Sequence, residues 1–268
     1  MHILIIGGCP VYGYGLSARQ PSFVNQFVRR LEDAGHCVQL TAYAMLPLNR
    51  LRPLLAQLPL SRYDLILIQP AHYHLQHPPS FWSLFRRPDP TLLPAPGEPC
   101  LHPSDLSALR GEPVYPVAET PAKRGWRAKR AGKLGLLMLA HRLGWVQRLR
   151  YVQEELAMLL AQLRAYRHRV LLLTPAPHRD PVSAWLRQQG RAFMLREGRQ
   201  QGIAVLDTHT IIQPDEAHFL PGDLAHLNAL SHERLGRALF DWFQHRQMGP
   251  GYYVPGTNQP VHYLLAEC

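Results

Sequence analysis

Five short apolar runs recur along the chain, each followed by a stretch with helical spacing, and this alternation leaves few folds open. The runs are Met1 to Ile6, Cys37 to Tyr43, Asp64 to Gln69, Arg169 to Thr174 and Ile203 to Asp207. They have the length of strands and several close on Gly or Pro, so they read as strands buried on both faces. Helical spacing marks Pro21 to Ala34, Leu51 to Leu58, Trp145 to Tyr166, Val182 to Gln201 and Ala229 to His245. In the first of these, Phe23, Val24, Phe27, Val28 and Leu31 fall on one face, and Gly35 follows as a helix stop. Strands alternating with helices join by right-handed crossovers, which predicts an α/β three-layer sandwich around a five-stranded, mostly parallel sheet. Ligands in such sheets bind at the carboxyl ends of the strands. The loops after Ile6, Tyr43, Gln69, Thr174 and Asp207 are therefore the ones to read for chemistry.

Between His77 and Gly135 the alternation fails. Eleven prolines from Pro78 to Pro121 exclude long helices and central strands there. The chain reads as one domain over 1–268, with 77–144 a Pro-rich and basic cap-like insertion and 246–268 a C-terminal tail. No apolar run approaches the roughly 18 residues of a membrane span, and the N-terminal run has no basic residue ahead of it as a secretion signal would. A soluble, cytoplasmic protein is the expectation. Cys9, Cys37, Cys100 and Cys268 are scattered without zinc-ligand spacing, which leaves them as thiols, with Cys37 expected inside the second strand.

The chain carries 29 Lys and Arg against 19 Asp and Glu, and the excess is local. Nine basic residues and no acid lie between Lys123 and Arg150, which leaves 20 basic against 19 acidic elsewhere. Such a segment is a solvated face, a phosphate contact, or a patch for an anionic partner: an acidic acyl carrier protein, coenzyme A or an anionic lipid surface. No nucleic-acid module accompanies it, so no nucleic acid is expected. Leu134, Leu137, Met138, Leu143 and Val146 nearby read as core-facing.

The first strand runs into Gly7-Gly8-Cys9-Pro10-Val11-Tyr12-Gly13. A nucleophile directly after a strand and before a helix stands on a tight turn with backbone N–H groups around it. A thiol suits that position, because a neighbouring base can activate it. Near the other end, Asp223-Leu224-Ala225-His226 sets a carboxylate three residues before a histidine. The carboxylate can hold Nδ1 of the ring and leave Nε2 free for a proton from the nucleophile. Asn228 fits the N-cap of the final helix.

These blocks, in this order, resemble the SGNH (GDSL) hydrolase family. Its Gly-Asp-Ser-x-x-x-Gly block appears as Gly7 to Gly13, and its Asp-x-x-His block as Asp223 to His226. Leu171 to Pro177 and Gly202 to Thr208 look like its fourth and fifth strands. The resemblance covers about 1–76 and 145–245 and implies the family's flavodoxin-like fold, with hydrolysis or transfer of an acyl group as the activity. It implies Cys9 as nucleophile, His226 as base and Asp223 as its orienting acid. It places the oxyanion hole at the backbone N–H groups of Cys9 and Ala44 and the Tyr73 phenol, with Tyr12, His72 and His74 lining the substrate site. The chain departs from the family at Gly8 for Asp, Cys9 for Ser, Ala44 for Gly and Tyr73 for Asn. A thiol nucleophile forms an acyl-thioester intermediate, open to an ester or thioester substrate, small or carrier-bound. This chemistry needs no cofactor. The departures also leave open a catalytically degenerate binding protein of the same fold. His72, His74 and His77 have no carboxylate or cysteine beside them to complete a metal site.

Overall fold

In a computed structural model of the chain, the described residues are 1–17, 19–44, 48–70, 80–88, 100–101 and 126–246. Strands β1 (His2–Gly7), β2 (Gln39–Ala44), β3 (Leu65–Ile68), β4 (Cys100–Leu101), β5 (Val170–Leu173) and β6 (Ala204–Leu206) form one sheet in the order β4-β2-β1-β3-β5-β6. Five of them are parallel, as the alternation requires. The exception is β4, a two-residue antiparallel edge that pairs Cys100 with Tyr43 and Leu101 with Ala42. It comes from the proline-rich stretch, where nothing in the apolar pattern marks a strand.

The helices are α1 (Cys9–Tyr12), α2 (Phe23–Asp33), α3 (Leu48–Gln57), α4 (Trp126–Arg142), α5 (Gln147–Leu163), α6 (Pro181–Gln201) and α7 (Ala229–His245). Because side chains alternate across a strand, β1, β3 and β5 feed two cores. Leu4, Ile6, Ile66, Ile68, Val170 and Leu172 meet α3, α4, α5 and α6 on one face. Ile3, Ile5, Leu65, Leu67, Leu171 and Leu173 meet α2 and α7 on the other. Both faces are covered, which explains why these strands read as unbroken apolar runs.

Three local expectations need correcting. Cys37 is exposed, because Gly35 takes a left-handed conformation (φ 89°) and turns the chain before β2 begins at Gln39. Helix α4 begins at Trp126, inside the stretch read as non-helical; the last proline there is Pro121, and nothing after it forbids a helix. Leu137 and Val146 are buried as expected, whereas Met138 and Leu143 are 43% and 52% exposed. They point away from the side of α4 that meets the core.

The basic segment is also divided. Arg148 is buried and donates to Ser83 Oγ at 3.1 Å. Arg130 lies 3.2 Å from the buried carboxylate of Asp180, the N-cap residue of α6. Lys129, Arg142 and Arg150 remain exposed. Lys123 and Arg124 lie outside the described residues.

Helices α2 and α7 meet through His232. This ring is 1% exposed, stacks on Phe23 at 6.0 Å and accepts a hydrogen bond from the Phe23 N–H at 3.0 Å. That N–H is one of the first-turn donors of α2 with no partner inside the helix. Burial pushes the imidazole down to about 3 from its usual 6.5. A depressed histidine binds its proton more readily in the unfolded chain, so its effect is to weaken the fold as pH falls below 6.5 towards 3. Replacing His232 by Leu leaves the Phe23 N–H unpaired and should cost about 1–3 kcal/mol in urea unfolding at pH 7. The same variant should lose less stability on acidification than the parent. An unchanged urea midpoint would show that the bond carries no weight.

Candidate active site

The turn after β1 is a single helical turn. Gly8 is its N-cap, Cys9 its first residue, and Pro10 sets the backbone at the next position. Gly13 ends it in the left-handed region (φ 77°), with its N–H donating to Pro10 O. A side chain there would be strained. Cys9 is half-buried at the carboxyl end of the sheet, as the family block implies.

The loop between β6 and α7 brings the other half. An antiparallel bridge, Phe219 to Leu227, closes it at its base. Inside, Leu220 N–H donates to His226 O and Asp223 N–H to Leu220 O, both at 3.0 Å. Asp223 Oδ1 accepts from the N–H groups of Ala225 and His226 at 2.6 and 3.0 Å. Its Oδ2 lies 2.6 Å from His226 Nδ1, so that nitrogen is the donor to the carboxylate. Asn228 caps α7 through Ser231 N–H, as expected. Besides the contact of His226 with Cys9, the two halves touch at two places. Tyr14 lies against the His226 ring with 4.4 Å between centroids. Gly15 (φ 80°) faces Leu220 so closely that an added Cβ would stand 2.2 Å from Leu220 Cδ1.

The imidazole of His226 forms hydrogen bonds to both Asp223 and Cys9. Burial works against its charge. The bonds and negative charge of Asp223 and Cys9 outweigh burial and raise it to about 9. Burial likewise raises Asp223, but the bonds from His226 and from the Ala225 and His226 N–H groups bring it down to about 2. Tyr12, on the turn of α1, is a further hydrogen-bond partner of Cys9. Burial and then the charge and hydrogen bond of the sulfur push its phenol up. The resemblance implies Tyr12 in the substrate site, and in the structure it lies beside Cys9.

Behind these groups stands Arg187 of α6, only 7% exposed. One guanidinium nitrogen donates to the carbonyls of Ala176 and Pro177, each at 2.8 Å, while Nε has no hydrogen-bond partner among the described residues. Burial lowers Arg187 to about 10, partly offset by the negative charge of Cys9 and Asp223. The sequence reading missed it. Its signal was position, for Arg187 falls on the buried stripe with Val182, Leu186, Gly190 and Met194. Gln69, also buried, follows β3 with its side chain against the Gly7 backbone.

Ala44 is the last residue of β2 and pairs with Gly7. His72, Tyr73, His74 and His77 lie outside the described residues, so the third oxyanion donor and the histidine-lined wall stay as expectations. Among the described residues, no group of three His, Cys, Asp or Glu gathers as metal ligands, and no helix is long and apolar enough to cross a membrane.

This sheet order, with a candidate nucleophile on the turn after β1 and an Asp-x-x-His loop before the last helix, is the SGNH hydrolase fold. No family model and no curated protein matches the sequence. Similarity lies in solved structures. A lipase/acylhydrolase from Enterococcus faecalis is 14% identical, covers 94% of this chain and 100% of its own, and gives a TM-score of 0.54. TesA is 14% identical over 93% of this chain and 100% of its own, with a TM-score of 0.52. Axe2, an acetylxylan esterase from Geobacillus stearothermophilus, is 13% identical over 90% of this chain and 92% of its own, again with a TM-score of 0.52. At these identities the likeness carries the fold.

The paired shifts have opposite pH signatures. The raised His226 stabilises the fold below 6.5, and that contribution is lost as pH rises through about 9. The lowered Asp223 contributes above 3.8 and is lost as pH falls through about 2. The two describe one interaction, counted once. In an NMR titration the His226 ring should keep its proton to about pH 9. Cys9→Ala and Asp223→Asn should each lower that midpoint, since each removes a hydrogen bond and a negative charge. A midpoint near 6.5 in the parent chain would mean the ring is not held between the two.

Proposed function

We propose that this protein is an acyl hydrolase or acyltransferase that cleaves ester or thioester bonds through Cys9, His226 and Asp223. The observation that carries the reading is the histidine bonded on one side to a buried carboxylate and on the other to a thiol at a strand end. A histidine raised to about 9 holds its proton at neutral pH beside the sulfur, and a cysteine reacts as its thiolate. Cys9 Sγ then attacks the carbonyl carbon without first passing on a proton. As the tetrahedral intermediate collapses, the leaving alkoxide or thiolate takes the proton from His226 Nε2. The neutral ring, still held by Asp223, is now the base that takes a proton from water or from an acceptor hydroxyl or thiol. Attack on the acyl-thioester returns Cys9 and completes hydrolysis or transfer.

The oxyanion would be held by the Cys9 and Ala44 N–H groups and the Tyr73 phenol. The pairing of Ala44 with Gly7 supports the second of these. Arg187 adds a buried positive charge near the sulfur and Asp223. The solved neighbours described as a lipase, an acylhydrolase and an esterase support ester chemistry in general.

Intact-protein mass after incubation with activated acyl esters tests the reading. One acyl group should appear on Cys9, and Cys9→Ala should abolish both the adduct and turnover. Mapping to the residue is required, because Cys37 is exposed and open to acylation on its own. His226→Ala should lower kcat/KM on the order of 10²- to 10⁴-fold. In the parent, kcat/KM should fall above about pH 9 as the imidazolium is lost. Full activity in Cys9→Ala would overturn the mechanism. Saturable ligand binding with no acylation by any ester in the panel would leave the degenerate binding protein.

A further inference from the structure

Helix α4 is apolar on two sides, and only one of them is buried in the core. Leu137 and Ala140 are 0% and 2% exposed and join the cluster beneath α5 and α6. On the outer side Leu136, Leu139 and Leu143 are 41%, 56% and 52% exposed, at the three-and-four spacing of one helix face. Trp145, in the turn after the helix, is 61% exposed. Trp82, on the 3₁₀ turn Phe81–Phe85, is 64% exposed and shares with Phe81, Gly132, Lys133 and Leu136 the lining of a shallow depression. The outer side of a surface helix ordinarily carries charge, and a patch of large apolar groups in its place marks an interaction site.

Along the chain, the charges of this segment have one sign. Lys129, Lys133 and Arg142 flank the leucines, and no acidic residue lies between Glu119 and Glu154. Glu154 and Glu155 are engaged by Arg87 and Arg52. A second copy of the chain would bring two positive rims together. An acidic carrier protein would answer the charges but not the leucine stripe. A lipid surface answers both, since cations meet phosphate, leucines enter the acyl boundary, and tryptophan sits well at the depth between.

We propose that the outer side of α4, the turn to Trp145 and Trp82 dock this protein on an anionic lipid surface. Leu136, Leu139 and Leu143 enter the acyl boundary, and Lys129, Lys133 and Arg142 lie among the headgroup phosphates. The same helix is tied to the edge of the candidate active site through Arg130 and the Asp180 cap of α6. If the acyl-ester chemistry proposed above is right, this placement points to lipid-borne esters as the substrate class; the docking itself does not rest on that chemistry.

The test is co-sedimentation of the full-length Cys9→Ala chain with vesicles of phosphatidylcholine, with and without phosphatidylglycerol, so that binding is read apart from turnover. Binding should require phosphatidylglycerol and weaken with salt as the Debye length shortens from about 10 Å at 0.1 M to about 3 Å at 1 M. Leu139→Glu with Leu143→Glu should lower the bound fraction about tenfold or more, and Lys129→Glu with Arg142→Glu should do so comparably. All four side chains are exposed, so thermal melting should show both variants folded. Emission of the parent's tryptophans should shift to the blue on binding, without any substitution. Absence of binding at low salt, equal binding to phosphatidylcholine alone, or binding untouched by the leucine substitutions would overturn the proposal. So would a dimer in sedimentation velocity that the leucine substitutions dissociate, which would assign this side of α4 to a second copy.

Discussion

One carboxylate organises the functional end of this molecule. Asp223 accepts from two backbone N–H groups through one oxygen and from the His226 ring through the other. The first pair of bonds fixes the turn from Asp223 to His226, and the third fixes the ring that the turn delivers. Because the carboxylate is largely buried, losing any one donor would leave charge poorly solvated, so the loop and the ring are specified together. The backbone carbonyl of Asp223 accepts from Arg179, and Arg179 N–H donates to Leu224 O, which joins this loop to the one after β5. The positions of His226, the β5 loop and the start of α6 all follow from how that one residue is satisfied.

The charges around Cys9 form a graded set. His226 and Asp223 are shifted in the directions that favour an ion pair, and Arg187 supplies a second, more deeply buried cation. Two carbonyls hold its guanidinium in place, and its charge interacts with Cys9 and Asp223. Tyr12 adds a phenol hydrogen-bonded to the same sulfur. The serine and aspartate of the family block are absent here. Around this turn stand residues from α1, α6 and the loop before α7, and the block itself names only one of those places.

The strands were legible because burial on both faces leaves them little but apolar side chains, as in Ile3 to Ile6 and Leu65 to Ile68. The Asp223–His226 pairing and the turn at Cys9 were legible because such contacts join residues a few positions apart, and Asn228 because a cap must stand just before its helix. The reading failed where two environments accept the same residue. A cysteine packs in a strand or lies in an exposed connection, and Cys37 lies in the connection before β2. A leucine on a helix marks a contact without saying which side finds one, so Met138 and Leu143 were assigned to the core and face outward.

By itself, then, the order of residues determined the parallel sheet, the turn bearing Cys9 and the local Asp223 to His226 pairing, all of which depend on neighbours within a few positions. Only the tertiary structure decided that Arg187 lies behind the thiol, that Arg130 holds the Asp180 cap, and that α4 keeps a second apolar side uncovered. The physical reason is that burial and electrostatic environment are sums over groups distant in sequence. An arginine on an apolar stripe and one on a solvated face are written with the same letter, and the packing of α4 and α6 makes them different.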